Sequence, residues 1–202
     1  VAMFFSYSMR TRALNHLRIA MPDLSDKQRK DIITKMFQHF IFFVFECIHI
    51  DELLNKDNLF TFDDQEKQVF EEAIAEQKGI IFVTGHIGNW ELLGQYLAMK
   101  KYPMCVVGKP SSDPRWTYWI ERWRETSGME VIWRDNAMHS LGMVRAKKKG
   151  KILALLIDQD TKISGIFVPF FGRLANTPIS PAVWSMRHNI PVIVSWLHRK
   201  NN

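Results

Sequence analysis

No stretch of this chain approaches the ~18 or more apolar residues that span a bilayer as a helix, so a membrane-crossing segment is excluded within it. Cysteine is scarce: Cys47 and Cys105 lie far apart with no metal-ligand spacing around either, and read as buried thiols of a reducing compartment rather than a disulfide. No Gly-x-Ser-x-Gly element occurs, which removes the commonest nucleophile elbow. Internal repeats, low-complexity tracts and linkers are absent, so the 202 residues are expected to form a single domain. Neither a signal-peptide pattern nor an initiator methionine opens the chain. The last residues follow directly on an apolar run, and both ends are expected to have been cut from something longer.

Among what is present, aromatic residues are generous, with 14 Phe and 7 Trp, more than a core of this size requires. A net charge of +6 favours anionic partners: lipid headgroups, an acidic carrier protein or nucleic acid. Apolar runs at 80–83, 104–107, 131–133, 152–157 and from Val192 read as buried strands. Between them lie helical patterns at 64–77, at 114–126 and at 139–149, with another from Pro181 to His188. Strand and helix alternate, which predicts an α/β fold with a mostly parallel sheet flanked by helices. Towards the amino terminus, Ser25 caps an expected helix from Asp26 onward, whose uninterrupted apolar run at 40–45 exceeds what a one-sided surface helix requires. Burial on two sides accounts for that run, as does a helix lying on a membrane or lining an acyl groove.

The chain is organised around residues 79–94. The strand 80–83 ends at Gly85-His86, and Asn89 then caps a helix that carries Glu91 in its first turn. At the carboxyl edge of an open α/β sheet, where ligand sites gather, His86 and Glu91 lie five positions apart. A carboxylate on one ring nitrogen fixes the tautomer and leaves the other nitrogen free as a base. Taken alone, a structural histidine bonded within its loop explains the pattern as well. Gly88 or Asn89 backbone amides at the helix start, or an arginine, are candidate oxyanion donors. Arg122 and Arg124 are candidate phosphate contacts; two residues apart on a helix, they point in different directions, so one of them is expected to reach the site. Lys109, on a loop after a strand, is a further candidate. Asp158 and Asp160 close another strand, where they bind sugar hydroxyls, anchor an arginine or cap a turn. No ligand spacing here demands a metal. Residues 167–171 read as core ahead of an acyl-binding surface.

Taken together, Arg12-Ala13-Leu14-Asn15, Met21-Pro22, Gly85-His86-Ile87-Gly88-Asn89-Trp90-Glu91, Lys109-Pro110, Arg122 and Arg124, Asp158-Gln159-Asp160, Phe167-Val168-Pro169-Phe170-Phe171-Gly172, Thr177-Pro178 and Ile190-Pro191-Val192 form an ordered series. That series resembles the lipid A biosynthesis lauroyl/myristoyl acyltransferases, whose wider fold includes the glycerol-phosphate acyltransferases. The resemblance implies transfer of a fatty acyl group from an acyl carrier protein or coenzyme A thioester to a hydroxyl of an anionic glycolipid, without a further cofactor. On that reading His86 is the general base and Glu91 orients it, while Asn89, Lys109, Arg122, Arg124, Asp158 and Asp160 contact substrate. It also implies work at the cytoplasmic face of the inner membrane, peripherally or through an anchor outside this chain. Two other classes compete: a hydrolase, either an esterase using the same pair or a metal-dependent enzyme using Asp158 and Asp160, and a non-enzymatic basic lipid-binding module. Nucleic acid is not expected, because residues 115–124 form one helix rather than a strand-borne stacking platform.

Overall fold

The structure, a computed structural model, describes residues 7–56, 59–134, 138–159 and 164–199. Two helices open it: α1 (Tyr7–Ala20) and α2 (Asp26–Ile48), followed by the short α3 (Ile50–Leu54) and by α4 (Asp64–Ala75). Then come β1 (Ile80–Thr84), α5 (Trp90–Met99), β2 (Met104–Gly108), α6 (Pro114–Thr126), β3 (Glu130–Trp133), α7 (His139–Lys148) and β4 (Ile152–Leu156). The remaining elements are β5 (Gly165–Phe170), β6 (Arg173–Pro178), α8 (Ser180–His188) and β7 (Val192–Val194).

Five strands form one sheet in the order β3-β2-β4-β1-β7, every neighbouring pair parallel. This is the α/β architecture expected from the alternation of elements. Its strands are near-continuous apolar runs because both faces are covered. Ile80, Phe82, Met104, Ile152 and Ala154 pack on one face against Phe70, Leu93, Leu97 and Met129. Alternation turns Ile81, Val83, Cys105 and Leu153 to the opposite face, where Met143, Ala146, Ile190 and Trp184 meet them. The two cysteines are free thiols, and burial pushes each of them up to about 12.

Helix starts follow local chemistry. Ser25 and Gln28 form a reciprocal capping box on α2, with Ser25 N–H donating to Gln28 Oε1 at 2.8 Å. Asp113 caps α6, and Pro114 takes its first turn, where a missing N–H costs nothing. Two expectations about burial fail. Of α2, only Arg29 and Ile33 are buried, and Phe40, Ile41, Phe42, Val44, Phe45 and Ile48 are exposed, so the helix is not covered on two sides. Residues 167–171 are not core either: β5 and β6 make a separate antiparallel hairpin whose Phe167, Phe170 and Phe171 are exposed. An apolar run dictates burial only when another element packs over it. No described helix is long and apolar enough to cross a membrane.

Candidate active site

β1 and β4 lie side by side in register from Ile80–Ile152 to Thr84–Leu156. The ladder continues past both strands, with Ile157 N–H donating to Thr84 O at 3.2 Å. The two chains therefore leave the sheet together, and the next residues are Gly85-His86 on one and Asp158 on the other. This is the carboxyl edge where open α/β sheets bind ligands.

Asp158 grips His86 twice. Its Oδ2 accepts the His86 backbone N–H at 2.6 Å, and its Oδ1 lies 2.7 Å from His86 Nδ1. A carboxylate at Nδ1 places the ring proton there and leaves Nε2 with its lone pair. Gly85 permits the approach, since a Cβ at that position would lie 2.9 Å from Asp158 Oδ2. Gln159 reaches the other side of the ring, its Nε2 at 3.3 Å from His86 Nε2. Trp90 meets the imidazole edge-on at 4.6 Å, and Phe43 of α2 stacks behind Trp90 at 4.4 Å. The histidine is thus oriented by hydrogen bonds and an aromatic wall while about a third of its side chain stays open to solvent.

The carboxylate partner is a correction to the sequence reading. Glu91 was expected to orient His86; it is held instead by Arg124, whose Nε donates to Glu91 Oε2 at 3.1 Å and whose Nη2 bonds Oε1. Both side chains are largely buried. The helical first turn carries Glu91 away from the ring and towards α6, so the pair joins α5 to α6. Asn89, expected to touch substrate, is 2% exposed and structural: its Oδ1 accepts from Leu92 N–H at 2.9 Å, and its Nδ2 donates to Glu46 Oε2 at 2.9 Å. Arg122 turns to the surface, pairing with Glu125 at 3.0 Å and lying over the Tyr118 ring. Lys109 is exposed just beyond β2. Asp160 lies outside the described residues. Among the described residues no three of His, Cys, Asp or Glu converge as a metal-holding set.

Sequence reasoning missed Gln159 and Trp90 as neighbours of His86, and treated Asp158 as a substrate contact. The signal for Asp158 was its position at the end of a buried strand; what sequence lacks is the order of the strands. A second layer supports the loop. His39 of α2 lies with Nε2 3.4 Å from Gly88 O. Gly88 has φ +63°, and a Cβ there would overlap the Leu197 carbonyl oxygen, so both conformation and space call for glycine.

The whole chain, residues 1–202, matches the family described as bacterial lipid A biosynthesis acyltransferase. The chain belongs to that family. Among curated proteins it is similar to a phosphatidylinositol mannoside acyltransferase of Mycolicibacterium smegmatis, 29% identical over 115 residues, covering 54% of this chain and 37% of that protein. It is likewise similar to a phosphatidylinositol mannoside acyltransferase of Mycobacterium tuberculosis, 26% identical over 112 residues, covering 54% of this chain and 35% of the relative. The chain therefore aligns with little more than a third of the length of these curated relatives.

Proposed function

We propose that this member of the family holds the acyl-transfer centre of an enzyme that moves a fatty acyl group from a thioester to a hydroxyl of an anionic glycolipid. The observation that carries the reading is the Asp158–His86 pair, set at the carboxyl ends of neighbouring parallel strands with about a third of the histidine side chain open to solvent. An alcohol is a poor nucleophile, and a base that takes its proton during attack lowers the barrier. His86 Nε2 is that base. It receives the hydroxyl proton as the oxygen attacks the thioester carbonyl carbon, and Asp158 stabilises the imidazolium that results. Collapse of the tetrahedral intermediate expels the thiolate, to which His86 returns the proton, so that an ester and a free thiol leave and the base is regenerated.

Acyl carrier protein and coenzyme A are the proposed donor carriers, and no further cofactor is required for the step. Acceptors of the class named for the relatives, phosphatidylinositol mannosides, and of the class for which the family is named, lipid A precursors, share a sugar hydroxyl and a phosphate. Exposed Lys109, just beyond β2, is a cation for such a phosphate. Donor thioesters are made in the cytoplasm, so the reaction belongs at the cytoplasmic face of the inner membrane, with this domain peripheral to it.

The test is an acyl-transfer assay with labelled acyl-carrier-protein and coenzyme A thioesters, run with and without glycolipid, counting ester product and free fatty acid separately. His86→Ala lowers ester formation by about 10³-fold or more, the scale of removing a general base from a bonded pair. Near-parental turnover in that variant would remove the mechanism. Fatty acid release unaffected by acceptor would assign the site to hydrolysis instead.

A further inference from the structure

The β5–β6 hairpin stands apart from the five-stranded sheet, its internal pairing running from Gly165–Pro178 to Phe170–Arg173. A half-buried hairpin hides one face. This one presents apolar side chains on both: Ile166 and Phe170 on one face, Phe167 and Leu174 on the other, each between 56% and 69% exposed. At the turn, Phe171 (φ +47°) and Gly172 (φ +71°) both adopt positive φ, the two-residue geometry that Asn-Gly and Gly-Gly satisfy and that a bulky aromatic resists. Phe171 is nevertheless half exposed, meeting the Phe170 ring edge-on at 4.7 Å. Backbone strain carried without burial points to a role outside the fold of the chain itself.

Charge separates this surface from two other apolar ones. The exposed stripe of α2, with Ile41, Phe45 and Ile48, runs into Asp51 and Glu52. Trp116 and Trp119 of α6 are flanked by Arg115 and Arg122, but these arginines are matched by Asp113 at 2.7 Å and Glu125 at 3.0 Å. Residues 164–178 contain no acidic residue at all, and Arg173 follows the turn directly. Aromatic tips with an adjacent cation match the boundary between acyl chains and anionic headgroups.

We propose that the β5–β6 hairpin is the element that enters an anionic lipid surface, with Phe170 and Phe171 at the acyl boundary and Arg173 among headgroup phosphates. The inference rests on the acyltransferase reading for its purpose, because a lipid acceptor has to meet the base where it lies in the leaflet. Five residues lie between Gln159 and Gly165, which keeps the root of the hairpin within about 22 Å of Gln159.

Co-sedimentation with large unilamellar vesicles tests this, using phosphatidylcholine alone and phosphatidylcholine containing phosphatidylglycerol. The parent chain partitions onto the anionic vesicles. Phe170→Ser combined with Phe171→Ser loses about tenfold or more of that partition, the scale of withdrawing two aromatic side chains from the interface. Arg173→Glu loses about fivefold or more on anionic vesicles and little on neutral ones. An unchanged thermal melt shows that these exposed positions leave the fold intact. Partition equal to the parent in the double serine variant overturns the proposal, as does a parent that ignores both vesicles, or a variant that disrupts a dimer while binding lipid normally. The same measurement on His86→Ala, with partition retained and transfer lost, separates docking from chemistry. A chain that docks through the hairpin yet transfers no acyl group fails the acyltransferase reading alone.

Discussion

A carboxylate that bonds both the backbone N–H and the ring of one histidine fixes the position of the residue and the direction of its imidazole together. Asp158 does this to His86, which makes it the most informative residue to alter. Asp158→Asn preserves size and a hydrogen-bond acceptor but removes the charge that, on the proposed mechanism, stabilises the imidazolium. The expected result is a fall in kcat of about 10²–10⁴-fold with the KM for acceptor changed little, read from the transfer assay above. A loss confined to KM would move Asp158 from the base to the binding of sugar. Gly85→Ala acts on the same contact, because its Cβ would press on Asp158 Oδ2 from 2.9 Å; reduced kcat with a normal far-ultraviolet spectrum is expected. The thiols offer a simpler check. With burial raising Cys47 and Cys105 to about 12, only about one thiol in 10⁴ is ionised at pH 8. Alkylating reagents should leave both untouched in the folded chain at that pH and modify both after denaturation. Rapid native modification of Cys47 would mean that α2 lifts away from the start of α5.

At the scale of elements, α5 and α6 are held together by Glu91 and Arg124, which lie largely out of water. Arg124→Ala leaves Glu91 buried without a partner and should cost about 3–5 kcal/mol of unfolding free energy. Arg122→Ala breaks only an exposed pair with Glu125 and should cost less than about 1 kcal/mol. Urea melts of the two variants decide it; equal small costs would mean that Glu91 is solvated. The sequence already implied this asymmetry, since residues two apart on a helix diverge, but it could not say that the inward arginine would meet Glu91. It also delivered the helix starts at Ser25 and Asn89, because a cap is chemistry local to three or four residues. The partner of His86 was not legible. Glu91 is near in sequence, whereas Asp158 is near only because β4 lies beside β1, and strand order is fixed by packing rather than by neighbours along the chain. The hairpin at 165–178 escaped for a related reason: Phe171-Gly172 is an unusual pair for a turn that needs two positive φ values, so its apolar flanks read as core.

Over the whole molecule, the loop carrying His86 is clamped by segments far apart in sequence. Glu46 of α2 accepts from Asn89 Nδ2 at 2.9 Å and pairs with Arg199, beyond β7, at 2.6 Å. Arg199 in turn lies over the Phe42 ring at 5.4 Å. Gly88 meets Leu197 on that same carboxyl-terminal stretch. One carboxylate thereby joins the cap of α5, the helix α2 packed against it and the residues after the last strand, which makes the geometry of the His86 loop a property of the assembled domain. Two consequences can be measured together. Glu46→Ala strands both Asn89 and Arg199 and should cost about 2–4 kcal/mol, whereas Arg199→Ala leaves Glu46 with Asn89 and should cost less. Because the three side chains share one carboxylate, the double variant Glu46→Ala/Arg199→Ala should cost less than the sum of the singles by about 1 kcal/mol or more. Additive costs in denaturant melts would show that the pair is an independent surface contact. Non-additive costs, accompanied by a parallel loss of acyl transfer in Glu46→Ala and its partial recovery in Glu46→Gln, which keeps an acceptor for Asn89, would place the geometry of His86 under the control of the clamp.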